Sequence, residues 1–195
     1  MKVLVVDCSI SVHERSRTKL LTETFLEKLR EIHPDWLLET VNLQKQKIFS
    51  LEAEDLQKRE GLLQEGNWEN PFFDLARQFA AADRIVVAAP CWEMSFPSKL
   101  RVYIEHISIP GITFRYTDHG SEGHCRAEKL LFLTSAGGPA VCAEPGKSYL
   151  EIMTNFYGIP EFAYVIADMQ DVQEVDHETI LEKALQKTKN LAENF

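Results

Sequence analysis

The 195-residue sequence lacks several patterns that would assign it to a specialised class of protein. It has no Cys-x-x-Cys pair, and its four cysteines lack the spacing of a disulfide framework, so we expect reduced thiols. His119 and His124 lie near one of these cysteines, but their spacing fits no standard zinc pattern. We interpret them as solvated loop residues and predict no metal. The cysteines are Cys8, Cys91, Cys125 and Cys142.

Long apolar runs and an excess of basic residues are also missing. No apolar segment approaches the roughly 20 residues that a membrane span needs. The first ten residues, MKVLVVDCSI, carry charge where a signal peptide has a long apolar region, so we expect a cytoplasmic protein with no membrane partner. The formal net charge of -9 argues against a nucleic-acid partner, because such binding depends on Lys and Arg.

The composition is that of an ordinary globular protein. Hydrophobic residues make up 45% of the chain and charged residues 26%, which supports a packed core and excludes a disordered or fibrous chain. Because no internal segment has the composition of a linker, we predict a single domain over residues 1–195.

Two kinds of apolar pattern alternate along the chain. Short continuous runs predict buried strands, and apolar residues at intervals of three and four predict amphipathic helices. The stretch 44–70 is polar, with weak helical pieces and no clear core face. The predicted strands are 2–7, 36–43, 84–90, 129–135 and 162–167. The predicted helices begin at Ser16 or lie around Phe72, Leu100, Tyr149 and Leu181.

This alternation predicts an α/β fold with a doubly wound, five-stranded parallel sheet. Right-handed crossover connections place helices on both faces of such a sheet. Ligands bind beyond the carboxyl ends of the strands, where the strand order reverses. We therefore expect function in the loops after the first, third and fourth strands.

The first loop, residues 8–18, reads CSISVHERSRT. Ser9, Ser16, Arg17 and Thr18 lie just before or within the start of a helix, where free N–H groups and the helix dipole favour a phosphate. The same residues also fit a simple N-cap, in which Ser16 or Thr18 satisfies backbone donors. The loop has no GxGxxG pattern, so it is not a Rossmann dinucleotide turn.

The loop after the third strand, residues 90–97, reads PCWEMSFP. It places Trp92 and Met94 on a tight connection between a strand and a helix. Exposing a large aromatic side chain is costly, so Trp92 either packs under another loop or covers a flat ligand.

The loop after the fourth strand, residues 134–140, reads TSAGGPA. Gly137 and Gly138 allow the backbone to approach a ligand closely and to turn its N–H groups outward. The PGKS sequence at 145–148 is similar to the end of a nucleotide-triphosphate loop. However, Val141 stands where that motif has its first glycine, so we exclude it.

Taken together, three segments resemble the FMN-dependent NADH-azoreductase and NAD(P)H-quinone reductase group of flavodoxin-like proteins. GITFRYTDHGSEG at 111–123 is similar to that family's GxTFRYTxxGxxG loop. PCWEMSFPSKLRVYIEHI at 90–107 resembles its proline-aromatic loop and following helix, and LTSAGG at 133–138 its flavin loop. The resemblance extends over nearly the whole chain. It implies a flavodoxin-like sheet with the strand order 2-1-3-4-5.

The resemblance also implies a bound FMN and assigns residues to its parts. The residues that would bind the phosphate are Ser9, Ser16, Arg17 and Thr18. Beside the isoalloxazine ring they are Pro90, Cys91, Trp92, Glu93 and Met94. On the pyrimidine side of the ring, Ser135, Gly137 and Gly138 would donate backbone N–H groups. The residues that would line the substrate pocket are Phe114, Tyr116 and Phe156.

The activity implied is two-electron transfer from NADH or NADPH to a quinone or azo compound, by ping-pong hydride transfer through FMN in a homodimer. No side chain is then expected to act as a nucleophile. Three residues depart from the azoreductase pattern: Trp92 replaces Tyr, Glu93 replaces Asn, and Ala136 replaces a frequent Arg. A carboxylate at Glu93 would oppose the negative charge that the flavin gains on reduction.

Two other functions fit the same scaffold. A non-enzymatic electron carrier would resemble true flavodoxins, but the first loop lacks their TxTGNT-type sequence. A flavin-free interaction or sensor protein is the other alternative, because a fold does not determine a function.

Overall fold

The structure is a computed structural model that describes residues 1–9 and 16–195. Residues 10–15, the middle of the predicted first loop, lie outside the described part. The strands are β1 (Lys2–Asp7), β2 (Leu37–Asn42), β3 (Arg84–Ala88), β4 (Phe114–Thr117), β5 (Gly120–Gly123), β6 (Lys129–Ser135) and β7 (Glu161–Ala167). The α-helices are α1 (Arg17–Ile32), α2 (Ala53–Gln64), α3 (Asp74–Ala80), α4 (Ser98–Ile107), α5 (Glu144–Phe156) and α6 (His177–Glu193). Short 3-10 helices cover Pro71–Phe73 and Ala140–Ala143.

Five of the strands form one parallel sheet in the order β2-β1-β3-β6-β7. In chain numbering this order is 2-1-3-6-7, whereas the expected order was 2-1-3-4-5. The difference arises because β4 and β5 form a separate antiparallel hairpin within the predicted loop 111–123. The strands expected as fourth and fifth are therefore β6 and β7.

The sheet is covered by helices on both faces, as the alternation of elements predicts. Successive residues of β3 point to opposite faces: Val86 packs with α1 and α6, whereas Ile85 and Val87 pack with α3, α4 and α5. Burial on both faces explains why the inner strands are continuous apolar runs rather than alternating ones.

The polar stretch 44–70 contains α2, none of whose residues is fully buried. Only Leu62 and Leu63 of this helix pack against the core as partly buried side chains. Farther along, the indole of Trp68 covers Gly111, which has a φ of +88° and no room for a side chain. The stretch is attached at both ends on the side of α3 and α4, because Ile48 is buried in the core and the Phe49 carbonyl oxygen is hydrogen-bonded to His106 Nε2 at 2.9 Å. Among the described residues, no helix has the length and apolar character needed to cross a bilayer.

Candidate functional site

The parallel sheet brings four loops to one edge. Main-chain hydrogen bonds continue the sheet ladder into these loops. The Cys8 N–H donates to Ala88 O at 2.7 Å, and the Cys91 N–H donates to Ser135 O at 2.8 Å. The Ala136 N–H donates to the carbonyl oxygen of the last residue of β7 at 2.9 Å. The loops after β1, β3, β6 and β7 are thus held in a common place by backbone atoms.

The loop after β1 contains a buried hydroxyl group, that of Ser9. The Asp7 carboxylate accepts a hydrogen bond from the Ser9 N–H at 2.9 Å and one from Asn42 Nδ2 at 3.3 Å. The Ser9 hydroxyl itself is buried and makes no hydrogen bond to any residue that the structure describes. A buried hydroxyl in this state is costly, which makes it suited to an acceptor such as a phosphate oxygen.

The amino terminus of α1 begins close in sequence to this hydroxyl. Ser16 is the N-cap, and its hydroxyl accepts a hydrogen bond from the Lys19 N–H at 3.3 Å, so the capping interpretation is confirmed for Ser16. The side chain of Thr18 is buried and shares a hydrogen bond of 2.7 Å with the Ser135 hydroxyl. It follows that Thr18 would offer an anion its N–H group rather than its hydroxyl. The N–H groups of Arg17 and Thr18 lie in the first turn, where helices have no internal acceptors.

The loop after β7 also belongs to this edge, although the sequence analysis did not include it. The Met169 N–H donates to Gly138 O at 2.8 Å, and the Asp171 N–H donates to Gly137 O at 2.9 Å. The Asp171 carboxylate forms an exposed ion pair of 3.2 Å with Arg17. The sequence signal was available, because a fifth parallel strand ends at the same edge as the others.

The loop after β3 is a tight two-residue turn. Trp92 and Ser95 exchange both backbone hydrogen bonds, at 3.2 and 2.8 Å. Between them, Glu93 and Met94 have φ values of +49° and +63°, the left-handed region that such residues rarely adopt. The turn presents Trp92 and Met94 to solvent, with 45% and 53% of their surface exposed. Trp92 therefore does not pack under another loop among the described residues.

Cys91 is half-buried at the start of this turn, directly after Pro90. Its thiol donates to the carbonyl oxygen of Cys142 at 3.3 Å. Burial raises the pKa of the Cys91 thiol above its ordinary value, and the nearby Cys142 raises it further.

The loop after β6 presents its backbone to the same edge. The carbonyl groups of Gly137 and Gly138 accept hydrogen bonds from the loop after β7. Their N–H groups donate to no acceptor in the described residues. A side chain at Gly137 would overlap the Asp171 carboxylate, and one at Gly138 would press on the sulfur of Cys142. Glycine at both positions leaves room for these neighbouring side chains, and the two N–H groups remain available to an acceptor.

The predicted substrate-pocket aromatics lie together, but apart from the loops. The rings of Phe114 and Phe156 are 4.6 Å apart, and Tyr116, which is 76% exposed, lies edge-on to Phe114 at 5.3 Å. Phe114 and Phe156 line a cavity of about 610 Å³ with residues of α4, α5 and the 51–59 segment. No residue of the four loops lines this cavity. Within the described parts of the chain, no group of three or more metal-ligating side chains is present.

A parallel sheet in this order, with polar loops and free backbone donors at the carboxyl ends of its strands, defines a flavodoxin-like α/β protein. Comparison with known families agrees: the chain belongs to the flavodoxin-like fold family, whose sequence model matches residues 1–192.

Relatives of known name are similar over their full length. The chain is 35% identical to an FMN-dependent NADH:quinone oxidoreductase of Clostridium perfringens, with 100% of this chain and 99% of the relative covered. It is 31% identical to a protein of the same name from Caldicellulosiruptor saccharolyticus, with the same coverage.

Solved structures show the same fold. An azoreductase of Bacillus anthracis superposes with a TM-score of 0.89 at 23% identity, covering 100% of this chain and 99% of the other. An FMN-dependent NADH-azoreductase from the same organism, in complex with FMN, gives a TM-score of 0.85 at 24% identity and the same coverage.

The N-cap at Ser16 can be tested on the protein without added ligand. Ser16→Ala should lower the free energy of unfolding by about 0.5 to 2 kcal/mol, because the Lys19 N–H loses its acceptor. Ser16→Asp should stay close to the wild-type value, since aspartate caps helices as well as serine. Urea denaturation followed by circular dichroism measures both. Equal stability of Ser16→Ala and wild type would contradict the cap.

Proposed function

We propose that this protein is a cytoplasmic, FMN-dependent NAD(P)H oxidoreductase that forms one domain over residues 1–195. The observation that carries the proposal is the buried Ser9 hydroxyl, which has no hydrogen-bond partner among the described residues and precedes α1 in the chain. The names of the relatives support the same function, because they match over the full length of the chain.

The residues at the edge fit the phosphate of FMN. The Ser9 hydroxyl would donate to a phosphate oxygen, and the N–H groups of Arg17 and Thr18 would donate from the first turn of α1. The Arg17 guanidinium would add positive charge, which its exposed ion pair with Asp171 leaves only partly compensated. Ser16 would contribute mainly by fixing the helix end, since its hydroxyl already accepts from Lys19.

The other two loops fit the ring system. The free N–H groups of Gly137 and Gly138, with Ser135 beside them, would donate to the pyrimidine side, where the ring gains negative charge on reduction. The turn from Pro90 to Met94 would cover the ring with its exposed apolar side chains, and Cys91 and Glu93 would lie beside it. FMN held in this way would supply the redox chemistry, which we propose to be ping-pong hydride transfer from NADH or NADPH and two-electron reduction of a quinone or azo acceptor.

The acceptor pocket requires a second copy of the chain in this proposal. Phe114 and Phe156 line the cavity on the α4–α5 side, which none of the four loops reaches within one chain. Ile152, on the same face of α5, is 65% exposed. An exposed apolar face of this kind is typical of an interface, and a symmetric homodimer would bring the aromatic cavity of one subunit to the loops of the other.

The function is tested by absorption spectroscopy of the purified protein. We expect a flavin spectrum and, after release, FMN rather than FAD, because the first loop forms a single phosphate site with no second nucleotide motif. Anaerobic addition of NADH should bleach the visible flavin absorption, and a quinone should restore it, on the order of one equivalent each. A colourless protein that cannot be reconstituted with FMN would favour the flavin-free alternative. A protein that stops at the one-electron semiquinone would favour the electron carrier.

The phosphate assignment has its own variant. Ser16→Asp retains the helix cap but adds a negative charge at the proposed phosphate site. It should therefore weaken FMN binding by about tenfold or more, because like charges repel at close range, while the stability of the flavin-free protein stays near the wild-type value. A wild-type dissociation constant in this variant would show that the phosphate is not bound beside Ser16.

Substitutions in the turn after β3 test the ring assignment. Trp92→Ala should weaken FMN binding by roughly 1 to 3 kcal/mol, the scale of lost aromatic contact. Trp68→Ala is the matched control, because Trp68 has a similar exposed fraction, 40%, but covers Gly111 rather than the loops.

Glu93→Gln should raise the flavin reduction potential, since reduction would no longer place negative charge beside a carboxylate. If both variants fold and neither the FMN affinity of Trp92→Ala nor the flavin reduction potential of Glu93→Gln changes, this loop does not line the flavin.

The homodimer is tested by light scattering. We expect a mass of about twice the 22.3 kDa of one chain at micromolar concentration. Ile152→Asp should shift the mass toward the monomer, because it places a charge in the proposed interface. Glu151→Gln, at the neighbouring exposed position, is the control and should remain dimeric. A wild-type monomer would refute the proposed dimer.

A further inference from the structure

Two cysteines that are far apart in sequence meet at the site edge. Cys91 follows β3, and its thiol lies 3.3 Å from the carbonyl oxygen of Cys142, to which it donates a hydrogen bond. Cys142 lies in the short 3-10 helix after β6, with its sulfur against Gly138. Both residues are partly exposed, in contrast to the completely buried Cys8.

Backbone hydrogen bonds keep this pair in place. The Cys91 N–H donates to Ser135 O at 2.8 Å, and the Cys142 N–H donates to Pro139 O at 2.8 Å. The two cysteines are therefore neighbours because the strands β3 and β6 pair in the sheet, rather than through a contact between mobile side chains.

The other two thiols are unsuited to the same chemistry. Cys8 is completely buried, and burial, with the charge of Asp7, raises the pKa of its thiol to about 12. Burial also raises the pKa of Cys125 to about 12, and its thiol donates to Thr113 O at 3.5 Å. Because the thiolate is the reactive form, both remain inert near neutral pH.

We propose that Cys91 and Cys142 form a modification site, at which a hydroperoxide converts the two thiols reversibly into an intramolecular disulfide. The proposal does not depend on FMN binding, because it follows from the contact between the Cys91 thiol and Cys142 alone. The bond would join the turn that carries Trp92 to the segment that follows Gly138.

The reaction balances in two steps. The Cys142 thiolate attacks the peroxide, so that an S–O bond forms, the O–O bond breaks, and the leaving oxygen takes a proton to become water. The Cys91 thiol then loses its proton and attacks the sulfenic sulfur, forming the S–S bond while the S–O bond breaks and a second water leaves. Two thiols and one hydrogen peroxide give one disulfide and two waters. Sulfur is oxidised and the peroxide is reduced.

The bond requires a small local movement. A disulfide needs an S–S distance of about 2.05 Å and close Cβ atoms, so the hydrogen bond between the Cys91 thiol and the Cys142 carbonyl oxygen must break. The 3-10 helix that carries Cys142 is four residues long and joined to the core mainly through Ala143, which allows that adjustment.

Peptide mapping of the purified protein tests the proposal. After brief exposure to hydrogen peroxide, two of the four thiols should be lost, and a non-reducing tryptic digest should contain the Cys91 peptide joined to the Cys142 peptide. Dithiothreitol should restore all four thiols. Cys142→Ser should abolish the joined peptide, whereas Cys125→Ser, the control, should form it as the wild type does.

Three results would overturn the proposal: both cysteines recovered in separate peptides, a disulfide to Cys8 or Cys125, or a disulfide between two chains. Mapping of the wild type alone decides between these, should a variant fail to fold. The joined peptide is detected by its mass whether or not flavin is bound. A negative result here is therefore distinguishable from failure of the proposed oxidoreductase function, which is read from the absorption spectrum.

Discussion

The parallel pairing of β1, β3, β6 and β7 is the constraint on which the site depends. Because these strands run in the same direction and in register, their loops leave from one edge. The ladder continues past the strand ends through the N–H groups of Cys8 and Cys91. Main-chain atoms therefore position the loops, and their side chains stay free to meet a ligand. This explains how Trp92 can be exposed on a loop whose backbone is firmly placed.

Much of the sheet could be predicted from the sequence because burial leaves a strong local signal. β1 and β6 lie between other strands and between two helix layers, so the centres of these strands, residues 3–6 and 130–133, are buried and apolar on both faces. The hairpin β4–β5 gave no such signal. Its second strand, GSEG, has no apolar side chain, and its side-chain pairing is the exposed ion pair between Arg115 and Glu122.

The contacts that shape the site could not be predicted, because they join residues far apart in sequence. Thr18 and Ser135 are 117 positions apart, and Arg17 and Asp171 are 154 apart. Each of these side chains has a satisfactory local interpretation as a cap or a surface residue. Only the order of the strands brings them together. The loop after β7 is different, because the predicted fifth parallel strand already implies that this loop leaves from the same edge.

The turn at Glu93 and Met94 is the place where local preference and structure disagree. Both residues have positive φ, as in type I′ hairpin turns, which favour Asn, Asp and Gly. Asparagine, which azoreductases commonly have at the position of Glu93, adopts this conformation more easily than glutamate. Such a residue costs on the order of 1 to 3 kcal/mol and persists only where its surroundings hold it. Here the two Trp92–Ser95 hydrogen bonds and the buried Phe96 and Pro97 hold the turn. Glutamate at this position therefore gives the loop a carboxylate and strains its backbone. The property that distinguishes Glu93 here is its charge, since its backbone conformation is unfavourable for glutamate.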